Sequence, residues 1–80
     1  MTRIHSLALE SGNAKEGRFL LVQVAHKDMK GALRVALAEA AKQGGRWRLV
    51  HKSVRRTGLA IPTGEVMGVT GPFEYNVEEA

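Results

Sequence analysis

The chain reads as a small α+β domain: a mostly antiparallel sheet of four to five strands with one amphipathic helix packed on one face, in the order β-β-α-β-β with room for a further strand. Three observations predict this. Apolar residues recur at helical spacing in one segment, at Met29, Ala32, Leu33, Ala36, Leu37 and Ala40, the i, i+3, i+4, i+7 stripe of an amphipathic helix. Short apolar or alternating runs flank that segment on both sides, separated by Gly, Pro and polar turn residues. The 80 residues form a single domain, 1–80, because a chain of this size buries roughly 60% of its unfolded surface and supports one modest core.

The elements follow in order. Ile4 to Leu9 has strand character, and Ser11 to Gly17 is a polar connector bounded by glycines, the loop of a long hairpin. Phe19 to Ala25 is the strongest strand. Its first half is apolar on both faces, which places it centrally, with Leu20, Val22 and Val24 on one side and Phe19, Leu21 and Gln23 on the other. Asp28 is placed to cap the helix, Gly44-Gly45 to stop it, and Lys30, Arg34 and Lys42 to line its solvent side.

Arg46 to Val54 is expected as the third strand, with Trp47, Leu49 and His51 on one face and Arg46, Arg48, Val50 and Lys52 on the other. Arg55-Arg56-Thr57-Gly58 then turns. Leu59–Ile61 and Val66–Val69 read as two short strands around the turn Pro62-Thr63-Gly64. Gly71-Pro72 breaks the chain again, Phe73–Val77 alternates as a final edge strand, and Glu78-Glu79-Ala80 frays. One helix covers one face of such a sheet. The other face is left uncovered, and function is expected there.

Composition bounds the function classes. Apolar residues at 44% and charged residues at 25% belong to a folded globular chain. Cysteine is absent, so a disulfide framework, a thiolate nucleophile and a cysteine zinc site are excluded, and a reducing cytoplasm fits. No apolar run exceeds four residues, as in Phe19–Val22, and Met1 to His5 opens no longer one; the expectation is a cytoplasmic protein with no membrane partner.

Charge is unevenly placed. Residues 1–26 carry +1, residues 27–59 carry nine Lys/Arg against Asp28 and Glu39, and residues 60–80 carry four Glu and no base. A basic middle and an acidic tail imply one positive surface and one negative edge.

No constellation points to catalysis. His5, His26 and His51 show neither HxH nor HExxH spacing, and Ser6, Ser11 and Ser53 lack a nucleophile-elbow setting. Gly12 to Gly17 has the glycine spacing of a phosphate loop, but Arg18 and Phe19 stand where Lys and Ser/Thr are needed, and the segment joins two strands. A hairpin loop is the better reading, and Gly64, Gly68 and Gly71 are read as turns or bulges. No catalytic residue, cofactor or metal is expected.

The basic stretch stands above this background. Arg46, Arg48 and Lys52 are expected to share a strand face, which Arg55 and Arg56 extend into the turn. Alternate residues of a strand lie ~6.6–7 Å apart, near the phosphate spacing of one nucleic-acid strand. Three readings compete: a solvated guard against sheet-edge aggregation, a contact for an acidic protein surface, and a nucleic-acid contact. The few aromatics, Phe19, Trp47, Phe73 and Tyr75, form no RNP-like motif, and Trp47 is expected in the core.

In size and architecture, with a helix (Met29–Gln43) set between strands (Phe19–Ala25 and Arg46–Val54), the chain resembles the anti-CRISPR proteins, small phage-encoded inhibitors of bacterial defence. That resemblance implies a non-enzymatic protein acting in the host cytoplasm by stoichiometric binding to a subunit of a CRISPR effector complex. No functional residue carries over, because that group shares no motif with this chain. The expected function is inhibition or modulation of a larger macromolecular complex, with Arg46, Arg48, Lys52, Arg55 and Arg56 meeting acidic residues of the partner. The alternative is a small nucleic-acid-binding or transcription-regulating protein. As a third class, a bare sheet face or the Phe73–Val77 edge would give a small homo-oligomer instead of a monomer.

Overall fold

A computed structural model describes residues 2–12 and 16–76. The tip of the first hairpin, Val77 of the expected last strand and the expected frayed end at 78–80 lie outside the described residues. Four strands and one helix run in the order β1 (Arg3–Gly12), β2 (Glu16–His26), α1 (Met29–Ala41), β3 (Arg48–Arg56) and β4 (Glu65–Asn76). This is the α+β arrangement expected, a four-stranded antiparallel sheet in the spatial order β3-β1-β2-β4.

The sheet buries one face under α1. Cross-strand partners share a face, so the pairs His5–Val24, Leu7–Val22 and Leu9–Leu20 form the helix side of β1 and β2. All of these residues are buried, and Leu7, Leu9, Leu20, Val22 and Val24 are the largest fully buried side chains. From the helix come Ala32, Ala36 and Ala40. Short alanines let the helix axis approach the sheet closely, so the bulk of the core is supplied by the strands. Partly buried Met29, Leu33, Val35, Leu37, Trp47 and Leu49 close its rim.

Both helix ends are fixed by polar contacts. The Asp28 carboxylate accepts the Gly31 N–H at 2.6 Å, the N-cap bond that its position predicts. At the other end Gly44 takes φ 76°, a left-handed conformation that glycine adopts without strain. Arg18 reaches from β2 to donate to the carbonyls of Gln43 at 3.0 Å and Gly44 at 2.8 Å. A guanidinium there satisfies carbonyls left without helical partners and complements the dipole. Trp47 also donates to the Gly44 carbonyl, at 2.9 Å, with the Arg18 guanidinium 5.0 Å above its ring.

That anchoring moves the third strand. Arg46 and Trp47 belong to the connection from the helix, and β3 starts at Arg48 and runs through Arg55 and Arg56, which had been expected to turn. Leu59–Ile61 is no strand; it lies in the 57–64 connection, which crosses the end of the sheet from one edge strand to the other. Gly71-Pro72 does not end a strand either. Two residues of β4 oppose the single Leu20 between the pairs Phe19–Phe73 and Leu21–Thr70, so a bulge absorbs the proline and β4 continues to Asn76.

Candidate binding surface

The five basic residues singled out from the sequence are all exposed, but they do not form one face. Arg48 lies opposite Glu10, whereas Lys52 lies opposite Leu7. Glu10 and Leu7 point to opposite sides of β1, so Arg48 faces away from the helix and Lys52 faces toward it. The cause is a bulge: β1 passes from Ala8 to Leu9 while β3 passes from His51 to Leu49, leaving Val50 as the extra residue. One inserted residue reverses the side of everything beyond it. The same reversal separates Leu49 from His51, and Arg46 lies outside the strand. The expected shared face of Arg46, Arg48 and Lys52 is therefore corrected.

Arg48 is already occupied. It forms a hydrogen-bonded ion pair with Glu10 and donates to the Gly12 carbonyl at 3.2 Å. The Tyr75 hydroxyl donates to the same Glu10 carboxylate, so one acid ties β1, β3 and β4 together near the first hairpin. Partial desolvation, then the hydrogen bond and the negative charge of Glu10, push the Tyr75 phenol above its usual 10.0, with Arg48 pulling the other way. Arg48 is thus a structural cation.

A different set of bases is left without acids. Beyond the bulge, His51 to Arg56 pair regularly with Ala8 to Arg3. Arg56 lies directly opposite Arg3, and Arg55 opposite Ile4 on the other face. Arg3, Val54, Arg55 and Arg56 line one shallow depression at this end of the edge. Among the described residues, no ion pair or side-chain hydrogen bond involves Arg3, Lys52, Arg55 or Arg56. Like charges directly opposite each other destabilise a strand pair. Arg3 is the member that sequence reasoning missed; the strand register alone brings it beside Arg56.

The uncovered face is mixed in character. Phe19 and Phe73 stack across β2 and β4 with ring centroids 5.1 Å apart, and Phe73 is 45% exposed. A trough of about 220 Å³ crosses the middle of the sheet, lined by the half-exposed Leu21 together with Ser6, Gln23, His51, Ser53 and Thr70. The other histidines lie elsewhere. His5 is buried, its Nε2–H donating to the His26 carbonyl at 3.1 Å while Nδ1 has no partner in the structure. His26 rests against the helix, its Nδ1 accepting the Asp28 N–H at 3.3 Å.

Among the described residues, no three of His, Cys, Asp and Glu converge to hold a metal ion, and no helix is long and apolar enough to cross a membrane. Compared with protein-family models, with curated sequences and with solved structures, the chain matches none.

Proposed function

We propose that this chain is a non-enzymatic binding protein that engages the acidic surface of a larger macromolecular complex through Lys52, Arg55 and Arg56 on the β3 edge and Arg3 beside them on β1. The observation behind this reading is that three bases of the exposed edge strand β3 and Arg3 of the neighbouring β1 lie without acidic partners, Arg3 and Arg56 directly opposed across the strand pair. Such an arrangement raises the energy of the free domain, and carboxylates from outside relieve it. The resemblance in size and architecture to anti-CRISPR inhibitors supplies the specific form: a stoichiometric inhibitor of a CRISPR effector complex in the host cytoplasm.

The test is a protection assay paired with charge reversals. In a bacterium with an active CRISPR effector, expression of the chain should rescue a plasmid that the effector otherwise destroys. The double variant Arg55→Glu/Arg56→Glu should lose that rescue. Lys30→Glu/Arg34→Glu, on the exposed side of α1, should keep it. Equal rescue by both variants removes the β3 edge from the function, and failure of the unaltered chain against a panel of effectors removes the anti-CRISPR form.

A second reading is favoured by the exposed Phe19–Phe73 pair. An aromatic platform on an uncovered sheet face suits stacked bases of single-stranded nucleic acid. Titration of fluorescent oligonucleotides at low and moderate salt decides it: salt-sensitive binding that Phe73→Ala weakens supports this reading, and no binding at low salt ends it.

A further inference from the structure

We propose that the segment His51–Arg56 of β3 is a strand-addition site for an acidic, extended segment of a partner protein, which joins the sheet beside β3 as a fifth strand. The inference rests on the reading of the β3 edge as the contact surface and specifies how contact is made.

The two edges of the sheet are guarded differently. β4 carries Pro72, which has no N–H to offer, and two register shifts, at Phe19/Leu21 and Gln23/Val24. Proline and bulges are the devices that stop an edge from pairing with another chain. β3 contains neither proline nor glycine, and after its single shift the six residues from His51 to Arg56 pair without interruption. Its outer rim is therefore a regular row of backbone donors and acceptors about 20 Å long. All six residues are exposed.

Charge alone guards that rim, and charge is selective. Lysine and arginine on an edge repel a basic strand and disfavour a neutral one, against which they would be desolvated without a partner, but they attract one whose acids fall opposite them. On one face the incoming strand meets Lys52, Val54 and Arg56; on the other it meets His51, Ser53 and Arg55. The complementary strand thus has acids opposite Lys52, Arg55 and Arg56 and an apolar residue opposite the half-exposed Val54. Backbone bonds give affinity in this mode and alternate side chains give specificity. The opposed Arg3–Arg56 pair adds a reason for an acid at that position, since a carboxylate there offsets part of the repulsion between the two guanidinium groups.

The experiment uses the full chain and synthetic peptides Glu-Glu-Val-Thr-Glu and Glu-Thr-Val-Glu-Glu, each capped and extended by threonine at both ends, for the two strand directions. Each is made unmodified and N-methylated on alternate backbone amides in both phases. Methylation leaves charge intact and removes donors. Strand addition predicts that one phase loses roughly tenfold or more in affinity while the other stays within about threefold. Amide exchange should slow at alternate residues of His51–Arg56. Equal loss or equal retention in both phases overturns strand addition while leaving an electrostatic contact in place. No binding by either parent peptide at low salt, together with normal plasmid rescue by Arg55→Glu/Arg56→Glu, overturns the underlying reading as well. Tighter binding of a single-stranded oligonucleotide of equal charge assigns the edge to nucleic acid. Concentration-dependent dimerisation abolished by Arg56→Glu assigns it to a second copy.

Discussion

Arg48 and Arg56 bound the same strand and carry the same charge, yet their surroundings differ: Arg48 is paired with an acid and Arg56 is not. Arg48 is held by Glu10 and the Gly12 carbonyl, so Arg48→Ala should cost about 1 kcal/mol of stability, read from urea unfolding, and leave partner binding within about twofold. Tyr75 shares that acid and gives the cluster a pH signature. Its raised phenol value means that the native state holds the proton more tightly than the unfolded chain does. The resulting stability is complete below the unfolded value near 10 and is lost as pH rises through the folded one. Above about pH 10, the unaltered protein should therefore lose stability more steeply than Tyr75→Phe; parallel pH profiles would show that the hydroxyl contributes nothing.

Elements were legible where the signal is local. The helix declared itself by its Ala-Leu stripe and Asp28, and β2 by its unbroken apolar run, because periodicity and capping involve neighbours in the chain. β3 and β4 were less legible. The start of β3 depends on Trp47 and Arg18 meeting at the Gly44 carbonyl, a contact between distant segments. β4 survives Gly71-Pro72 because a bulge against Leu20 absorbs it, which no reading of Gly-Pro as a breaker anticipates. The helix itself carries a further test at Gly31. Alanine inside a helix is ordinarily better than glycine by about 1 kcal/mol. Here its Cβ would stand 2.0 Å from Cε1 of His26, forcing the ring away from the Asp28 N–H. Gly31→Ala should gain little or lose stability alone and should stabilise in the His26→Ala background; additive effects in that cycle would contradict the contact.

At the scale of the molecule, an elongated domain with extents of 49 × 22 × 17 Å presents a sheet with one helix-covered face, one open face and two unlike edges. The α+β class and the open face were readable from element order. One edge was legible, since Phe73 to Asn76 of the expected edge segment lie in the edge strand β4; that β3 forms the other was not, because strand order is set by non-local pairing. Nor was the sidedness of the bases, because Val50 inserts one residue and reverses the strand beyond it. The surface that emerges is Arg3 with Lys52, Arg55 and Arg56, in place of Arg46, Arg48 and Lys52 on one face. On the proposed function these bases stay unpaired for a partner, at a cost to the free domain. Arg56→Glu tests it most directly, since the introduced carboxylate faces Arg3 across the strand pair. Stability should rise by roughly 0.2–1 kcal/mol while affinity for the acidic peptide falls at least about tenfold. Unchanged affinity, or a fall in stability with it, would contradict the claim.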